Sequence, residues 1–421
     1  MADRFQVDPN QPIYSAIPVL EIAEDPPVEV HVLQPVEQRP APVTRPRSAI
    51  RRCLQLVGFG IWRVASAIEW VFGALTLMGG LAALAALPIL QFLSLGYLLE
   101  AGGRVARTGR IRDGFIGVRL AARLGGAVLG SWLLLLPVRV ISGLAQSARI
   151  IDPGGRNAAA WRIALSILIG LTALHVGAAC LRGGRLRYFF WPFNIFWLLW
   201  RIIRGGYYTQ ARDAVWDTVM ALRLPYYFWL GVRGFVGALI WLALPITLLA
   251  QGQRPTPVAP LVGFLGAGLL AIVLLYLPFL QMRLAAQNRF SEIFRLGAVR
   301  ADFRRAPWAF AFAFVLTLAF ALPLYLLKIE IVPREAAWVP GLVFVAFIFP
   351  ARLITGWALG RAAHRQLPRH WFFRWTGRLP LLPAAAFYVL IVFFTQYTSW
   401  NGVLSLYEQH AFLLPVPFFG L

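Results

Sequence analysis

An arginine in the middle of an apolar stretch is the residue in this sequence with the clearest potential for chemistry. Arg352 follows Pro350-Ala351 near the middle of residues 337–360, which are otherwise almost uncharged. A charge at the centre of a membrane-spanning helix costs on the order of 2.5–3.5 kcal/mol, and such a side chain usually faces the bundle interior or a cavity. Two interpretations stay open. Arg352 binds an anion or a lipid phosphate, helped by carbonyls freed at a kink at Pro350, or it is paired internally or snorkels to the interface.

A second arginine occupies a comparable but shallower position. Arg139 lies in Pro137-Val138-Arg139, nearer the end of its apolar segment than Arg352 is. Its side chain reaches the membrane interface more easily, so snorkelling is the simpler interpretation for this residue. Arg352 and Arg139 are the two candidate ligand-binding residues.

Residue combinations typical of enzymes are missing from the sequence. It contains no paired carboxylates inside an apolar segment, no Ser/His dyad, no phosphate-binding loop and no metal-ligand cluster. His364 and His370 have Pro368 between them and do not share a helix face as zinc ligands would. Nearly all of the eleven acids after Thr44 fall between apolar segments or at their ends, which argues against a proton-coupled pump. We therefore expect no enzymatic activity, no cofactor and no metal.

Composition places the chain in a membrane. Of its 421 residues 59% are hydrophobic and 14% are charged, whereas soluble domains are ~45–50% apolar and ~25% charged. The apolar residues fall in blocks of about 20, which is the length that crosses a bilayer as a helix. The sequence predicts an all-α polytopic membrane protein, and we expect it in the bacterial inner membrane as a multi-pass protein.

The net charge of +22 also suggests nucleic-acid binding, but the positions of the charges argue against it. Almost every basic residue lies in a short segment between apolar blocks, where the positive-inside bias alone explains it. The partners we expect are membrane lipids, including anionic ones, and no nucleic acid.

Three regions differ in composition. Residues 1–47 hold nine prolines between Pro9 and Pro46 and an excess of acids, and we predict a disordered tail. Residues 48–69 place polar and basic side chains on one helical face, which predicts an amphipathic helix in the membrane interface. Residues 70–421 form the transmembrane helical domain.

The third region contains eight predicted spans. They cover approximately Trp70–Leu99, Leu124–Leu144, Trp161–Leu181, Phe228–Ala250, Val258–Gln281, Trp308–Leu327, Ala337–Gly360 and Leu381–Tyr397. The links between them alternate between arginine-rich and arginine-poor, which predicts four hairpins whose arginine-rich loops are cytoplasmic. The first span is long for one crossing. Either the N-terminus is external against the charge rule, or residues 70–99 re-enter the membrane and return, hinged near Gly79-Gly80.

Two strings recur in the same order and predict an internal duplication. Leu87-Pro88-Ile89-Leu90-Gln91 is repeated as Leu277-Pro278-Phe279-Leu280-Gln281, and residues 110–115 (RIRDGF) are repeated as residues 289–294 (RFSEIF). Such repeats are frequent in transporters, and they also occur in proteins that transport nothing. The predicted helix kinks are Pro88, Pro137, Pro245, Pro278, Pro323 and Pro350.

One stretch resembles a known family. Residues 96–100 (GYLLE), followed by residues 104–110 (RVARTGR), are similar to the hallmark of an uncharacterised family of multi-spanning prokaryotic membrane proteins, a domain of unknown function. The resemblance covers mainly residues 85–145, with a fainter copy around residues 277–327. It implies the membrane class, and it implies no catalytic residue.

Two functions fit these observations. The first is transport or handling of an anionic or amphipathic molecule such as a lipid, bound near Arg352. The second is a non-transporting scaffold that binds partners or anionic lipid through its basic cytoplasmic face.

Overall fold

A computed structural model describes residues 49–205, 207–252, 254–326 and 338–395, together with residues 406, 410, 412, 413 and 414. The predicted disordered tail, residues 1–47, lies outside the described residues. The chain divides into two units between Gly60 and Ile61, and the packing contacts described for it belong to Ile61–Leu421.

All regular structure in the described residues is helical, which confirms the predicted fold class. The α-helices are α1 Ala49–Ala85, α2 Gln91–Thr108, α3 Val118–Ile151, α4 Arg156–Leu181, α5 Leu186–Phe189, α6 Asn194–Ile203, α7 Tyr207–Ala221, α8 Leu224–Gln251, α9 Ala259–Gln287, α10 Leu296–Arg305, α11 Pro307–Leu326, α12 Trp338–Ala363, α13 Trp371–Thr376 and α14 Leu381–Thr395. Two 3-10 turns, Ile111–Gly114 and Phe290–Phe294, follow α2 and α9.

Seven helical stretches in the described residues are long and apolar enough to cross a membrane. They are Trp62–Ala85, Val118–Ile151, Arg156–Leu181, Ala211–Gln251, Ala259–Gln287, Val339–Ala363 and Trp371–Phe394. A bent pair, Leu296–Arg305 with Pro307–Pro323, turns through 114° and gives an eighth if it counts as one span. This number is close to the predicted eight, so the protein is a multi-pass helical membrane protein.

The predicted first span needs correction. Residues 70–99 are not one helix, because α1 ends at Ala85 and α2 begins at Gln91. The break lies at Pro88, since proline disfavours the helical conformation of the residue before it. Ile89 then takes a φ of 71°, which an isoleucine rarely adopts. The chain stays helical through Gly79-Gly80, so the expected hinge there is absent.

The boundary between the predicted interfacial helix and the first span also differs. Residues 49–69 are helical, and α1 continues from them through Ala85 without interruption. An apolar segment of at least Trp62–Ala85 is part of this same helix. The position of residues 48–69 in the membrane interface stays a prediction.

The predicted kink residues fall into two groups. Pro88 separates two helices instead of bending one. The other five lie inside helices: Pro137 in α3, Pro245 in α8, Pro278 in α9, Pro323 in α11 and Pro350 in α12. A proline inside a helix removes a backbone hydrogen bond, and it is tolerated in membrane helices where neighbouring groups compensate.

Helix α2 lies at the centre of the core and packs against α8, α9 and α12. Glycines make these approaches possible. A Cβ atom at Gly96 would lie 1.7 Å from the Tyr227 carbonyl oxygen in α8, and one at Gly356 of α12 would lie 2.1 Å from the Gly102 carbonyl oxygen. Small residues at such crossings let helix backbones approach closely inside membranes.

The most extensive contacts between consecutive spans are across the arginine-poor links. Helix α3 packs along α4, α8 along α9, and α11 along α12. Three of the four arginine-rich links, by contrast, contain helices of their own: α5, α6 and α7 in one, α10 in the next and α13 in the last. In these three links the inserted helices explain why the two spans of a predicted hairpin are not the closest neighbours, since short connections favour antiparallel packing.

The two repeated RφxDxF-like strings have similar backbone conformations at their start. In residues 109–113 and 288–292 the first residue is left-handed, with φ of 72° and 54°, and the second is extended, with φ of −110° and −121°. The N–H of the acid, Asp113 or Glu292, then donates to the carbonyl of the arginine at 3.2 and 3.1 Å. Helices α2 and α9 therefore end in the same kind of turn.

Candidate functional site

Arg352 lies in the protein core and its amino groups are hydrogen-bonded. The residue is 3% exposed. Its Nη1 donates to Gln281 Oε1 at 2.6 Å and its Nη2 donates to the Phe412 carbonyl at 2.8 Å. Gln281 Nε2 in turn donates to the carbonyls of Leu413 at 2.9 Å and Gly234 at 3.2 Å. Arg352 and Gln281 thus join α12 and α9 to α8 and to the segment around residue 413.

These contacts favour the interpretation that Arg352 is paired internally. No described acid forms an ion pair with it, and its Nε has no partner among the described residues. Neutral acceptors therefore hold both amino groups. A buried arginine bonded in this way connects helices, and the three cavities described below do not include it among their lining residues.

Arg139 has the opposite environment. It is exposed on α3, near Pro137, and no described residue bonds to its guanidinium. Arg139 and Arg352 are not brought together, and neither lines one of these cavities. Their roles in ligand binding stay hypotheses.

The buried acids are held by arginines. Glu100, 6% exposed, accepts from Arg107 Nη2 at 2.5 Å and from the Tyr226 hydroxyl at 2.7 Å. Glu100 ends the GYLLE string, so this part of the motif stabilises the contact between α2 and α8.

A second ionic network involves the repeated loop string. Glu292, which is fully buried, pairs with Arg283 at 2.9 Å and with Arg295 at 2.7 Å. Asp302 pairs with Arg283 at 2.7 Å and lies 3.5 Å from Arg305. These carboxylates therefore compensate arginines of the loop itself and of the end of α9.

An apolar groove lies between α1, α2, α3 and the start of α8. Its volume is about 860 Å³. Among its described lining residues only four carry a polar side-chain atom: Thr76, Tyr97, Trp132 and Tyr227. The hydroxyls of Thr76 and Tyr97 are already bonded to the carbonyls of Phe72 and Ile116. Its remaining surface is aliphatic, aromatic or glycine, which suits a hydrocarbon chain.

One end of this groove is basic. Arg223 stands between the lining residues Leu222 and Leu224, with its guanidinium 4.6 Å from the centre of the Tyr226 ring. Arg104 lies two turns after the lining residue Tyr97 on α2, on the same side of that helix. Both arginines are exposed, and no described carboxylate pairs with either. Glu100 lies nearby, and its charge is compensated by Arg107.

Two smaller cavities combine arginines with aromatic rings, and they flank the bend between α10 and α11. The first, of about 450 Å³, is lined by Arg300, Arg304 and Arg378 together with Tyr276 and Phe303. The Nε of Arg300 donates to the Tyr276 hydroxyl at 3.2 Å. Its other lining residues are apolar.

The second, of about 380 Å³, is lined by Arg361, Arg365 and Arg369 and by Trp308 and Trp357. From the sequence these arginines are recognised only as loop charge. Their spacing of four residues is a local feature, whereas their meeting with Trp308 depends on tertiary packing.

The described residues contain no group of three or more His, Cys, Asp or Glu that could hold a metal ion. His364 Nδ1 lies 2.6 Å from the Gly360 carbonyl, and His370 accepts from the Phe372 N–H at 3.3 Å. Both histidines therefore make local helix contacts.

Comparison with protein-family models, curated proteins and solved structures finds no match for this chain. The resemblance of residues 85–145 to a domain of unknown function stays a prediction.

Proposed function

We propose that this protein binds an anionic membrane lipid, with a hydrocarbon chain in the groove between α1, α2 and α3 and the phosphate at Arg104 and Arg223. One observation carries the proposal: beside an almost wholly apolar groove of about 860 Å³ lie Arg104 and Arg223, and no described carboxylate pairs with either of them. This volume lies in the range of ligand pockets, roughly 300–1,000 Å³.

The exposure of the groove wall supports a lipid ligand. Leu124, Val128 and Trp132 line the groove on α3, yet they are exposed. In a helix long and apolar enough to span a membrane, exposed apolar side chains contact hydrocarbon. A lipid chain can therefore enter from the side of the bundle without crossing a polar layer.

The arginines supply the selectivity for an anionic headgroup. A guanidinium binds a phosphate through two parallel hydrogen bonds, and it stays charged at any physiological pH. Arg223 is held against Tyr226, so its charge is oriented before a ligand binds.

Lipid handling is better supported than transport of an anion past Arg352. The two amino groups of Arg352 already donate to Gln281 and to the Phe412 carbonyl. Breaking these bonds to bind an anion would leave buried acceptors without donors. The scaffold alternative rests on the basic cytoplasmic face together with the acidic tail, and the tail, residues 1–47, lies outside the described residues. Deleting the tail and comparing captured partners tests that alternative.

The proposed membrane topology follows from the arginine-rich links. We place the links around residues 100–123, 182–223, 283–305 and 361–378 in the cytoplasm of a bacterial cell, with the spans in the inner membrane. The similar turns at Gly109 and Asn288 support the duplication of the LPxLQ and RφxDxF strings. Reporter fusions after each span test the topology.

A groove-filling variant tests the lipid site. Gly80 lines the groove, and a Cβ atom there would have open space around it. We expect Gly80→Phe to fill part of the groove without displacing neighbouring atoms, and to reduce lipid retention roughly tenfold, ~1.4 kcal/mol. Native mass spectrometry of the detergent-purified full chain identifies and counts phosphatidylglycerol and phosphatidylcholine that stay bound.

Gly170→Phe is the matched control, because Gly170 lies within α4, has the same open space and does not line the groove. Equal lipid retention in the two variants would contradict the proposal.

Changing Arg104 and Arg223 together to Gln separates the two parts of the site. This double variant should lose the preference for phosphatidylglycerol over phosphatidylcholine while still binding lipid.

A further inference from the structure

The bend between α10 and α11 creates a second concentration of positive charge. At this point the chain turns through 114°. The carbonyls of Arg304 and Arg305, at the end of α10, then accept from the Arg369 N–H at 2.8 Å and from Arg365 Nη1 at 3.3 Å. The segment after α12 is thereby fixed beside the start of α11.

Three arginines line one cavity at this place without a carboxylate. Arg361, Arg365 and Arg369 line one cavity of about 380 Å³, and no acid of the described chain is among its lining residues. The nearest ionic network uses Asp302, which is already paired with Arg283. Burial, followed by repulsion from Arg369 and Arg361, holds the pKa of Arg365 below its ordinary value. An anion among like charges stabilises their charged forms.

Aromatic rings orient the arginines. The guanidinium carbon of Arg361 lies 5.6 Å from the centre of the Trp357 ring, and that of Arg369 lies 5.4 Å from the centre of the Phe373 ring. Stacking of this kind limits the rotamers of a long side chain, so less freedom is lost when an anion binds.

The start of α11 forms another wall. Trp308 and Ala309 line the cavity and belong to the first turn of a helix that begins at Pro307. N–H groups of a first helical turn have no acceptor within their own helix, and the helix dipole adds partial positive charge there. Anions bind readily at such a position when other cations face it.

We propose that the cavity of Arg361, Arg365 and Arg369, closed by the first turn of α11, binds a phosphate monoester or inorganic phosphate. Phosphate matches it because the guanidinium forks of Arg361 and Arg369, the remaining N–H groups of Arg365 and the N–H groups of the first turn of α11 together offer more donors than a carboxylate can use. A free phosphate and the headgroup of phosphatidic acid share this chemistry. The site is separate from the apolar groove, so the proposal does not depend on the proposed function.

The test uses the full chain. Isothermal titration calorimetry in detergent measures the affinity for inorganic phosphate. Native mass spectrometry from nanodiscs of phosphatidylcholine with dioleoyl phosphatidic acid measures retention of that lipid. Arg361→Gln combined with Arg369→Gln should weaken one or both by at least roughly tenfold, ~1.4 kcal/mol. Loss only of inorganic phosphate binding identifies a soluble ligand, and loss only of phosphatidic acid identifies a lipid headgroup.

Arg149→Gln combined with Arg162→Gln is the control, because it removes the same charge from exposed positions on α3 and α4 that line neither site. Arg361→Lys combined with Arg369→Lys keeps the charge and loses the guanidinium fork, and should weaken binding about threefold or more. This pair stands in for the Gln variant if that variant does not fold.

Three results would overturn the proposal. In the first, neither phosphate nor phosphatidic acid binds saturably to the wild-type chain. In the second, the cavity and control variants lose affinity equally. In the third, phosphate binds only after residues 1–47 are deleted, which would assign the cavity to the acids of the tail.

Discussion

Arg352 and Arg361 lie on the same helix, α12, and have opposite surroundings. Arg352 is buried, and its hydrogen-bond network ends on neutral acceptors in three other parts of the chain, at Gln281, Phe412 and Gly234. Arg361 shares a cavity with Arg365 and Arg369, its guanidinium lies near the Trp357 ring, and no described carboxylate lines that cavity. The difference suggests that a conspicuous intramembrane charge can be structural, while an ordinary loop arginine can belong to a binding site.

The energetic reason is the number of acceptors each arginine already has. The amino groups of Arg352 bond Gln281 and Phe412, so a ligand there would have to break hydrogen bonds in a low-dielectric core. Among the described residues no acceptor bonds to the guanidinium of Arg361, so an anion adds bonds there without breaking any. Three predictions test this contrast.

The largest expected effect is on stability when Arg352 is removed. Arg352→Ala leaves a cavity and two buried acceptors without donors, and should lower the free energy of unfolding by about 3 kcal/mol. Arg139→Ala removes the same group from an exposed position and should change the free energy of unfolding by less than about 0.5 kcal/mol. Thermal unfolding in detergent compares the two. A stable Arg352→Ala variant that had lost anion binding would reverse the assignment.

An intermediate effect is expected at the repeated glutamine. Gln281→Leu removes the acceptor of Arg352 Nη1 and a donor to two carbonyls, and should cost about 1–3 kcal/mol of stability. Its counterpart in the other LPxLQ string, Gln91, has a buried Oε1 without a partner. Gln91→Leu should therefore be nearly neutral. The same denaturation assay applies, and equal losses at both positions would show that the Arg352 network adds nothing specific.

The smallest effect is expected when Arg361 is replaced in the ligand-free protein. Arg361→Gln removes one of three repelling charges, so the unfolding free energy should change by no more than about 0.5 kcal/mol, with a gain as the expected direction. Added phosphate should raise the melting temperature of the wild-type chain more than that of this variant. A fall of more than about 1 kcal/mol without ligand would mean that Arg361 has a structural role like that of Arg352.

The helical membrane fold could be predicted from sequence because its signals are local. Blocks of about 20 apolar residues identified the spans, and prolines inside them fell within α3, α8, α9, α11 and α12. The end of the first span was less predictable. Gly79-Gly80 and Pro88 both mark weak points, and the helix breaks only at the proline, where sterics act on the preceding residue.

The binding surfaces could not be predicted in the same way, because they depend on contacts between distant segments. The partners of Arg352 lie 71 and 60 residues away in sequence, at Gln281 and Phe412. Nothing in the local pattern around Pro350-Ala351-Arg352 identifies them. Likewise, the groove depends on how α1, α2 and α3 pack against one another. A hydropathy pattern gives the lengths of these helices but not the positions at which they cross, so it cannot predict the groove.

The most direct test of the lipid-binding account is an experimental structure of the full chain in nanodiscs of phosphatidylglycerol and phosphatidylcholine. The account predicts chain-shaped density along Gly80, Leu124 and Val128, with the phosphate within hydrogen-bonding distance of Arg104 or Arg223. A groove that closes by packing of α1 against α3, or that holds a lipid with its headgroup at the opposite end, would contradict it.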